Sequence, residues 1–257
     1  MPASEPALVL DGIVAGYGGG DVLRGVSFEV PKGAITCVVG PNGSGKSTLM
    51  RVISGLLKPR RGTVTLGREK LTGKSPRQIL KAGVVQVPQN HSLFRDMTVR
   101  ENLDLGGYIL GDSALIGQRM DRVLEMFPQV REWADRKAGS LSGGQQRLAE
   151  FARALVLDPA LILLDEPSMG LSPLVLKSVF GAVREMNAGG ATILLVEQNA
   201  RAGLKLSDRG VVLENGAVRL AGTGREVLQH PEIGELYLGG AAKKAGSPET
   251  VQTAENL

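Results

Sequence analysis

Cysteine and long apolar runs are scarce in this sequence, and each scarcity excludes a class of protein or site. Cys37 is the only cysteine, which excludes an intramolecular disulfide and a cysteine-based metal cluster. It lies in the apolar run Ile35–Val39, so we expect a buried thiol. No apolar run approaches the ~18–20 residues of a membrane span, and the N-terminus lacks the basic-then-apolar order of a signal peptide. We therefore expect a cytosolic protein whose membrane association comes through a partner.

An excess of charge of one sign is also missing. The chain carries 30 basic and 26 acidic residues and a net charge of +4. Its basic residues are scattered, and this balance does not indicate a nucleic-acid partner. Glycine, in contrast, is abundant: 35 of the 257 residues, about twice the average share. Many of these glycines cluster in turns, which favours a backbone that closely approaches a ligand.

Strand-like runs alternate with helical patterns, which is typical of an α/β fold. The apolar run 34–39 ends in a glycine-rich loop and is followed by apolar residues at helical spacing, namely Leu49, Val52, Ile53 and Leu56. This spacing predicts an amphipathic helix that ends at Lys58-Pro59. Further along, the apolar runs 211–213 and 218–220 flank Asn215-Gly216, which predicts a β-hairpin.

The middle of the chain, residues 90–140, changes character. Thr98 and Glu101 have the spacing of a capping box and predict the start of a helix. A second helix is expected over about Ser113 to Phe127, with apolar contacts from Leu115, Val123, Leu124 and Phe127. No strand-like run interrupts these patterns, so we expect an inserted helical lobe.

A phosphate-binding loop is indicated at residues 40–48. The order Gly40, Pro41, Asn42, Gly43, Ser44, Gly45, Lys46, Ser47 matches the P-loop pattern, and it follows a strand and opens a helix. Glycines let backbone N–H groups converge on a phosphate, and the helix N-terminus adds positive potential. We expect Lys46 to reach the β- and γ-phosphates, Ser47 to bind Mg²⁺, and Thr48 to help with phosphate contacts.

An acidic pair follows the apolar run Leu161–Leu164. Asp165 and Glu166 thus stand at the carboxyl end of a buried strand, where open α/β sheets bind ligands. Two acidic residues after a strand usually mark only the solvent-exposed end of that strand. When a P-loop is also present, a catalytic role is favoured. We expect Asp165 to hold Mg²⁺ and Glu166 to orient or deprotonate the attacking water.

A second helix N-terminus is indicated at Leu141–Arg147, which reads Leu-Ser-Gly-Gly-Gln-Gln-Arg. Ser142 and Gln145 have capping-box spacing, and an apolar helical face follows. Exposed N–H groups at such an end form another anion site. One chain therefore carries two helix N-termini that can bind phosphate and one set of catalytic acids.

This segment resembles the signature motif of ABC ATPases, and the order of P-loop, signature and acidic strand is similar to theirs over about Leu8 to Gly240. The resemblance implies a P-loop NTPase core with an antiparallel β subdomain and an inserted helical lobe, all within a single ATPase domain over residues 1–240. It also implies a dimer in which Ser142, Gly143, Gly144 and Gln145 act on the nucleotide that the partner chain binds. Residues 241–257 lack bulky apolar periodicity and are expected to be disordered.

Three further positions match the family. Tyr17 stands where an aromatic ring stacks on adenine, and Gln89 stands at the Q-loop, which senses Mg²⁺ and signals to a permease. Ser168–Pro173 occupies the D-loop position and departs from the commoner Ser-Ala-Leu-Asp form. Gln198 stands where the family usually has a switch histidine, and neither His91 nor His230 substitutes for it. A glutamine amide donates a hydrogen bond but carries no titrating charge. Two hypotheses follow: an ATP-driven motor, or a nucleotide-gated subunit with little turnover.

Three segments are similar to the second ATP-binding subunit of branched-chain amino acid importers, the LivF type: residues 168–173, residues 196–200 and Tyr237–Gly240. The resemblance implies ATP and Mg²⁺ as cofactors. As partners it implies integral membrane permeases, a second ABC ATPase in a hetero- or homodimer and, indirectly, an extracytoplasmic solute-binding protein. It also implies a location at the cytoplasmic face of the membrane. Closely similar subunits serve urea and short amides, so that solute class stays open.

Overall fold

The computed structural model describes residues 6–233. The Tyr237–Gly240 segment and the disordered tail predicted for residues 241–257 lie outside the described residues. The described part of the chain contains ten strands: β1 Pro6–Ala15, β2 Leu23–Pro31, β3 Ile35–Val39, β4 Arg61–Leu66, β5 Glu69–Lys70, β6 Val84–Val87, β7 Leu161–Asp165, β8 Ile193–Glu197, β9 Arg209–Glu214 and β10 Ala217–Thr223. The same residues form nine α-helices: α1 Lys46–Ile53, α2 Pro76–Lys81, α3 Val99–Gly106, α4 Ser113–Met126, α5 Pro128–Glu132, α6 Gly143–Leu155, α7 Pro173–Ala188, α8 Ala200–Leu206 and α9 Gly224–Gln229.

The larger of two sheets has the strand order β10-β9-β3-β8-β7-β6. Strands β9, β3, β8, β7 and β6 run parallel to their neighbours, and β10 is antiparallel to β9. Every residue of β3 and β8 is buried, because helices cover both faces of a parallel sheet and its strands read as continuous apolar runs. The parallel strands all end at the same edge, which assembles the loops that follow them.

The smaller sheet has the order β2-β1-β4-β5 and is antiparallel. Helix α1 fills the space between the two sheets. Its Leu49, Met50 and Ile53 are fully buried among side chains from both, such as Val26 of β2 and Leu163 of β7. This arrangement confirms the P-loop NTPase core with an antiparallel β subdomain.

The helical prediction for the middle region is confirmed, because residues 90–140 form α3, α4 and α5 with two short 3₁₀ turns. Thr98 is the N-cap of α3, and its capping box with Glu101 is present. In α4 the buried apolar residues are Ile116, Met120, Val123 and Leu124. Of the other two residues predicted to make apolar contacts, Phe127 is fully buried as the C-cap of α4, and Leu115 is half-buried.

The end of α1 differs from the sequence prediction. The helix ends at Ile53 with Ser54 as C-cap, and Leu56 is 63% exposed instead of continuing the apolar face. Gly55 follows with φ of 74°, a left-handed conformation that commonly ends helices at glycine. The helix therefore stops before Lys58-Pro59 is reached.

The hairpin predicted around Asn215-Gly216 is confirmed by antiparallel pairing of β9 with β10. Asn215 and Gly216 have φ of 49° and 80°, as the two-residue turns that match strand twist require. None of the helices within residues 6–233 combines the length and the apolar character that a membrane crossing requires.

Candidate functional site

The predicted site residues lie on loops that leave one edge of the large sheet. The glycine-rich loop follows β3, Gln89 follows β6, Asp165 and Glu166 end β7, and Gln198 follows β8. Since these strands are parallel neighbours, their carboxyl ends share an edge, which is where open α/β sheets bind ligands. The topology therefore brings together groups that are more than 150 residues apart in the chain.

In the glycine-rich loop, Lys46 is the first residue of α1 and is only 5% exposed. Its ammonium group donates hydrogen bonds to the carbonyl oxygens of Gly40, at 2.8 Å, and Pro41, at 3.1 Å. Burial lowers the pKa of Lys46, and the negative charges of Glu166 and Asp165 oppose that shift. The lysine thus lies between backbone carbonyls and the two acids.

The shape of this loop depends on Gly40 and Gly45. A Cβ on Gly40 would lie 2.1 Å from the carbonyl oxygen of Leu213 in β9. Gly45, the N-cap of α1, has φ of 108°, a conformation that L side chains rarely adopt. The loop exposes Pro41, Asn42, Gly43 and Ser47 and buries Ser44, Gly45 and Thr48.

One polar atom of the loop is left without a partner. The hydroxyl of Ser44 is buried and has no hydrogen-bond partner among the described residues, although buried polar groups are normally paired. An orphaned hydroxyl, a helix N-terminus and a buried ammonium group converge on this loop. That set of donors fits the oxygens of a phosphate.

At the end of β7, Asp165 and Glu166 are half-buried. The pKa of Asp165 is raised, first because the carboxyl is buried and second because of the neighbouring Glu166, while Lys46 opposes the shift. A bound cation would reverse this balance by favouring the carboxylate. Carboxylate and hydroxyl oxygens are ligands that Mg²⁺ accepts together with phosphate oxygens. The donors at this edge therefore fit a magnesium nucleotide.

Glu166 has an unusual backbone. Its φ is 44°, in the left-handed region, which only Asn, Asp and glycine visit readily. Within residues 6–233, the other non-glycine residues with positive φ are an aspartate and an asparagine, Asp158 and Asn215. A hydrogen bond from the Glu166 N–H to the carbonyl of Val196, at 2.9 Å, joins this position to β8. Strain of this kind concentrates at functional sites, so Glu166 is a candidate on backbone grounds alone.

Gln89 lies beside Glu166. Its side-chain amide is 3.5 Å from a carboxylate oxygen of Glu166 and 2.7 Å from the sulfur of Met169. The Q-loop glutamine and the catalytic candidate are therefore neighbours in one chain. Tyr17 lies beside α1: the residue is 48% exposed, and the Arg51 guanidinium of α1 lies 5.9 Å from the centre of its ring.

The signature segment opens α6. Ser142 is the N-cap, and its capping box with Gln145 is present. Ser142 and Gly143 are exposed, whereas Gly144 is buried, and a Cβ there would lie 2.3 Å from a methyl group of Val175 in α7. Exposed N–H groups at the start of this helix are thus available to an anion outside the chain.

Sequence reasoning missed a buried charge cluster on α6. Arg147 is 3% exposed and donates to the carbonyl oxygens of Pro88, at 2.8 Å, and Gln89, at 2.6 Å. It also pairs with Glu150, which is 1% exposed and accepts from the N–H of Ser92. The available signal was a pair of opposite charges three residues apart, next to the apolar residues Leu148, Ala149 and Phe151. Through these hydrogen bonds, the cluster connects the signature helix α6 to the Q-loop.

The loop after β8 contains a second missed residue. Gln198 is exposed, but the preceding Glu197 is fully buried and accepts hydrogen bonds from Ser168. Burial is the main reason that the pKa of Glu197 rises to about 7, against the opposing effect of hydrogen bonds from Ser168 and Asn199. A charged residue that ends an apolar strand was the signal in the sequence.

Comparison with known proteins gives a consistent result. The family model described as ABC transporter matches residues 23–169. The chain is 40% identical over 233 residues to the high-affinity branched-chain amino acid transport ATP-binding protein BraG of Pseudomonas aeruginosa, covering 91% of this chain and 100% of the relative. It is 38% identical over 226 residues to the probable branched-chain amino acid transport ATP-binding protein LivF of Archaeoglobus fulgidus, covering 88% and 95%. Among solved structures, the ADP conformation of an ATP-binding cassette of an ABC transporter matches with a TM-score of 0.82 and 35% identity, covering 91% and 99%.

Proposed function

This chain belongs to the ABC transporter family of ATP-binding proteins and is an ATPase, and from that premise we propose that it powers an importer of branched-chain or other hydrophobic amino acids. The observation that carries the proposal is the similarity to BraG, which extends over 91% of this chain and the whole of that protein. Sequence likeness of that extent covers the helical region and the C-terminal strands as well as the nucleotide motifs. A urea or short-amide importer is the alternative.

We assign the site roles as follows. The backbone of residues 40–48 binds the phosphates of ATP, and Lys46 exchanges its two carbonyl partners for phosphate oxygens when the nucleotide binds. Tyr17 stacks on adenine. The half-exposed position of this residue beside α1 supports that role.

Ser47, Asp165 and Gln89 are the proposed ligands of Mg²⁺, directly or through water, and the ion supplies positive charge to the phosphate oxygens. Glu166 orients or deprotonates the attacking water. Its left-handed backbone and its contact with Gln89 support this role. Gln198 donates a hydrogen bond toward the γ-phosphate in place of a histidine, and its exposed position after β8 is consistent with that task.

We further propose that the chain works as half of a dimer with a second ABC ATPase, whether identical or different. Ser142, Gly143, Gly144 and Gln145 bind the nucleotide held by the partner. Ser142 and Gly143 are exposed at the start of α6, and the capping box between Ser142 and Gln145 holds this helix start in one geometry, which supports the role. ATP binding then closes the dimer, and hydrolysis reopens it. The contacts of Arg147 with Pro88 and Gln89 support a mechanical link between the signature helix and the Q-loop.

The partners in this proposal are integral membrane permeases at the cytoplasmic face of the membrane and, indirectly, an extracytoplasmic solute-binding protein. The helical region over residues 90–140 transmits the motion of the ATPase to the permease. Its apolar side chains Phe94, Leu105 and Tyr108 are 57%, 38% and 75% exposed, which suits a surface that a protein partner covers.

The test is capture of the assembled complex. Tagged Glu166→Gln protein, which holds ATP without turnover, is added with ATP to detergent-solubilised native membranes, and its partners are identified by mass spectrometry. Lys46→Ala protein, which lacks the phosphate-binding ammonium, is the matched control. Recovery of two multi-span permeases and a second ATPase supports the importer. Recovery of soluble factors alone contradicts it.

The solute is then tested with the recovered complex in liposomes. We expect ATP-dependent uptake of labelled leucine when the solute-binding protein is present. Uptake of urea and not leucine would favour the alternative importer. The low-turnover hypothesis is tested separately: Gln198→Ala should slow steady-state ATP hydrolysis at least tenfold, and Gln198→His should be tolerated. An unchanged rate in Gln198→Ala would reject the role assigned to this glutamine.

A further inference from the structure

We propose that Glu197 is a positioning residue that holds the loop carrying Glu166 in register with the loop carrying Gln198, through its hydrogen bonds to Ser168. The inference rests on the proposed ATPase mechanism and goes beyond it, since neither Glu197 nor Ser168 has a role in that mechanism. Glu197 does not touch the nucleotide in this proposal. It acts through the two loops that do.

Both oxygens of the Glu197 carboxyl group bind the same residue. The Ser168 hydroxyl donates to one oxygen at 2.6 Å, and the Ser168 backbone N–H donates to the other at 3.1 Å. A two-point contact fixes orientation as well as distance, and hydrogen bonds to a carboxylate are among the stronger ones in proteins. The loop after β7 is therefore held to the end of β8 in one geometry.

This contact lies next to the catalytic candidate. Ser168 is two residues beyond Glu166, whose own N–H donates to the carbonyl of Val196 at 2.9 Å. Residues 166–168 are thus fastened to β8 at two successive positions, Val196 and Glu197. Glu166 has φ of 44°, and a residue in that region keeps its conformation only when its surroundings enforce it. The Glu197 contact is one of the interactions that enforce it.

The same carboxyl group is linked to the switch loop. Gln198 follows Glu197 directly, and the backbone N–H of Asn199 donates to the Glu197 carboxyl group. Glu197 also pairs in register with Val39, the last residue before the phosphate-binding loop. The Glu197 side chain therefore joins the loop after β7 to the loop after β8, and its backbone lies beside the strand end from which the phosphate-binding loop begins.

The location of Glu197 is costly for a carboxyl group. It is 0% exposed and ends a strand whose other members are Ile, Leu, Leu and Val. Burial of an ionisable group without a cation beside it opposes folding. A residue kept only for packing would be apolar here, so the hydrogen bonds to Ser168 are the feature that this glutamate adds.

The test separates positioning from general damage to the core. We compare wild type, Glu197→Gln, Ser168→Ala, the double variant and Ser168→Thr in steady-state ATPase assays of the full-length protein with its partner subunits. A glutamine accepts with only one of its two side-chain atoms, and alanine removes the hydroxyl. Thr36→Val is the matched control, since Thr36 is fully buried in β3 and its hydroxyl has no partner among residues 6–233.

We expect kcat to fall at least tenfold in Glu197→Gln and in Ser168→Ala, while KM for ATP changes less than twofold. The double variant should be no slower than the slower single variant, because both remove one contact. Ser168→Thr should restore most of the rate, and Thr36→Val should leave it unchanged. Ser168→Ala keeps the test decisive even if Glu197→Gln fails to fold.

Three results would overturn the proposal. The first is a kcat within twofold of wild type in Ser168→Ala. The second is a raised KM for ATP with an unchanged kcat, and the third is additive losses of kcat in the double variant. A wild-type protein without turnover would instead reject the ATPase mechanism itself, and this inference with it. The two failures are therefore distinguishable.

Discussion

The left-handed backbone of Glu166 predicts that two substitutions which both abolish activity differ in their effect on stability. The residue has φ of 44°, and such a conformation costs an L-residue roughly 1–2 kcal/mol. Glycine avoids that cost but loses more conformational entropy on folding, by about 0.5–1 kcal/mol relative to alanine. We therefore expect Glu166→Gly to be more stable than Glu166→Ala by about 0.5–1 kcal/mol.

The comparison of these two variants isolates the contribution of the backbone conformation to the free energy of unfolding. Both remove the carboxylate, so the loss of its contact with Gln89 and of its repulsion with Asp165 is common to both. The matched control is Glu125, an exposed residue in the last turn of α4. There glycine should be less stable than alanine, by up to about 1 kcal/mol, because the helical backbone favours alanine.

The assay is urea-induced unfolding of the nucleotide-free protein, from which the free energy of unfolding is compared within each pair. ATP turnover is measured in parallel and should be lost in both Glu166 variants, since each lacks the carboxylate. Glu166→Gly equal to or less stable than Glu166→Ala, with the Glu125 pair behaving as expected, would refute the reasoning that this position is strained.

Three further predictions follow from local features. Because burial raises the pKa of Glu197 to about 7 from 4.5, the folded protein binds more protons than the unfolded chain between these values. About 3 kcal/mol of stability present below pH 4.5 is then lost as the pH rises through 7. In urea unfolding measured from pH 5 to 8, the free energy of unfolding should therefore fall less with pH in Glu197→Gln than in the wild type. Gly40→Ala should weaken the binding of a fluorescent ATP analogue at least tenfold, because its Cβ would lie 2.1 Å from the Leu213 carbonyl oxygen; Gly19→Ala, in open space, should bind normally. Thr98→Ala removes the N-cap of α3 and should lower the free energy of unfolding by about 1 kcal/mol, with an unchanged Kd for ATP.

The errors in the sequence predictions have physical causes. The periodicity of α1 continues to Leu56 in the sequence, but Gly55 turns the chain, and the last apolar residue of the pattern is exposed. Periodicity records which residues are apolar and not where a left-handed residue interrupts the helix. Arg147 and Glu197 were missed for a different reason: their partners lie 58 and 29 residues away in the chain.

Local chemistry determined most of what the sequence by itself reveals. The P-loop pattern, the capping boxes at Thr98 and Ser142, and the Asn215-Gly216 turn each depend on residues within a few positions of one another. Their backbone geometry and hydrogen bonds are therefore encoded in short segments. That information is enough to identify the fold class and the nucleotide-binding loops.

Only the tertiary structure decided how those segments act on each other. The parallel order of β3, β8, β7 and β6 brings four separate loops to one edge of the sheet. Packing then buries Glu197 beside Ser168 and places Gln89 against Glu166. These contacts depend on long-range strand pairing and on the burial of charge. The local sequence shows a charged residue at the end of an apolar strand, but it does not identify the partner of that residue.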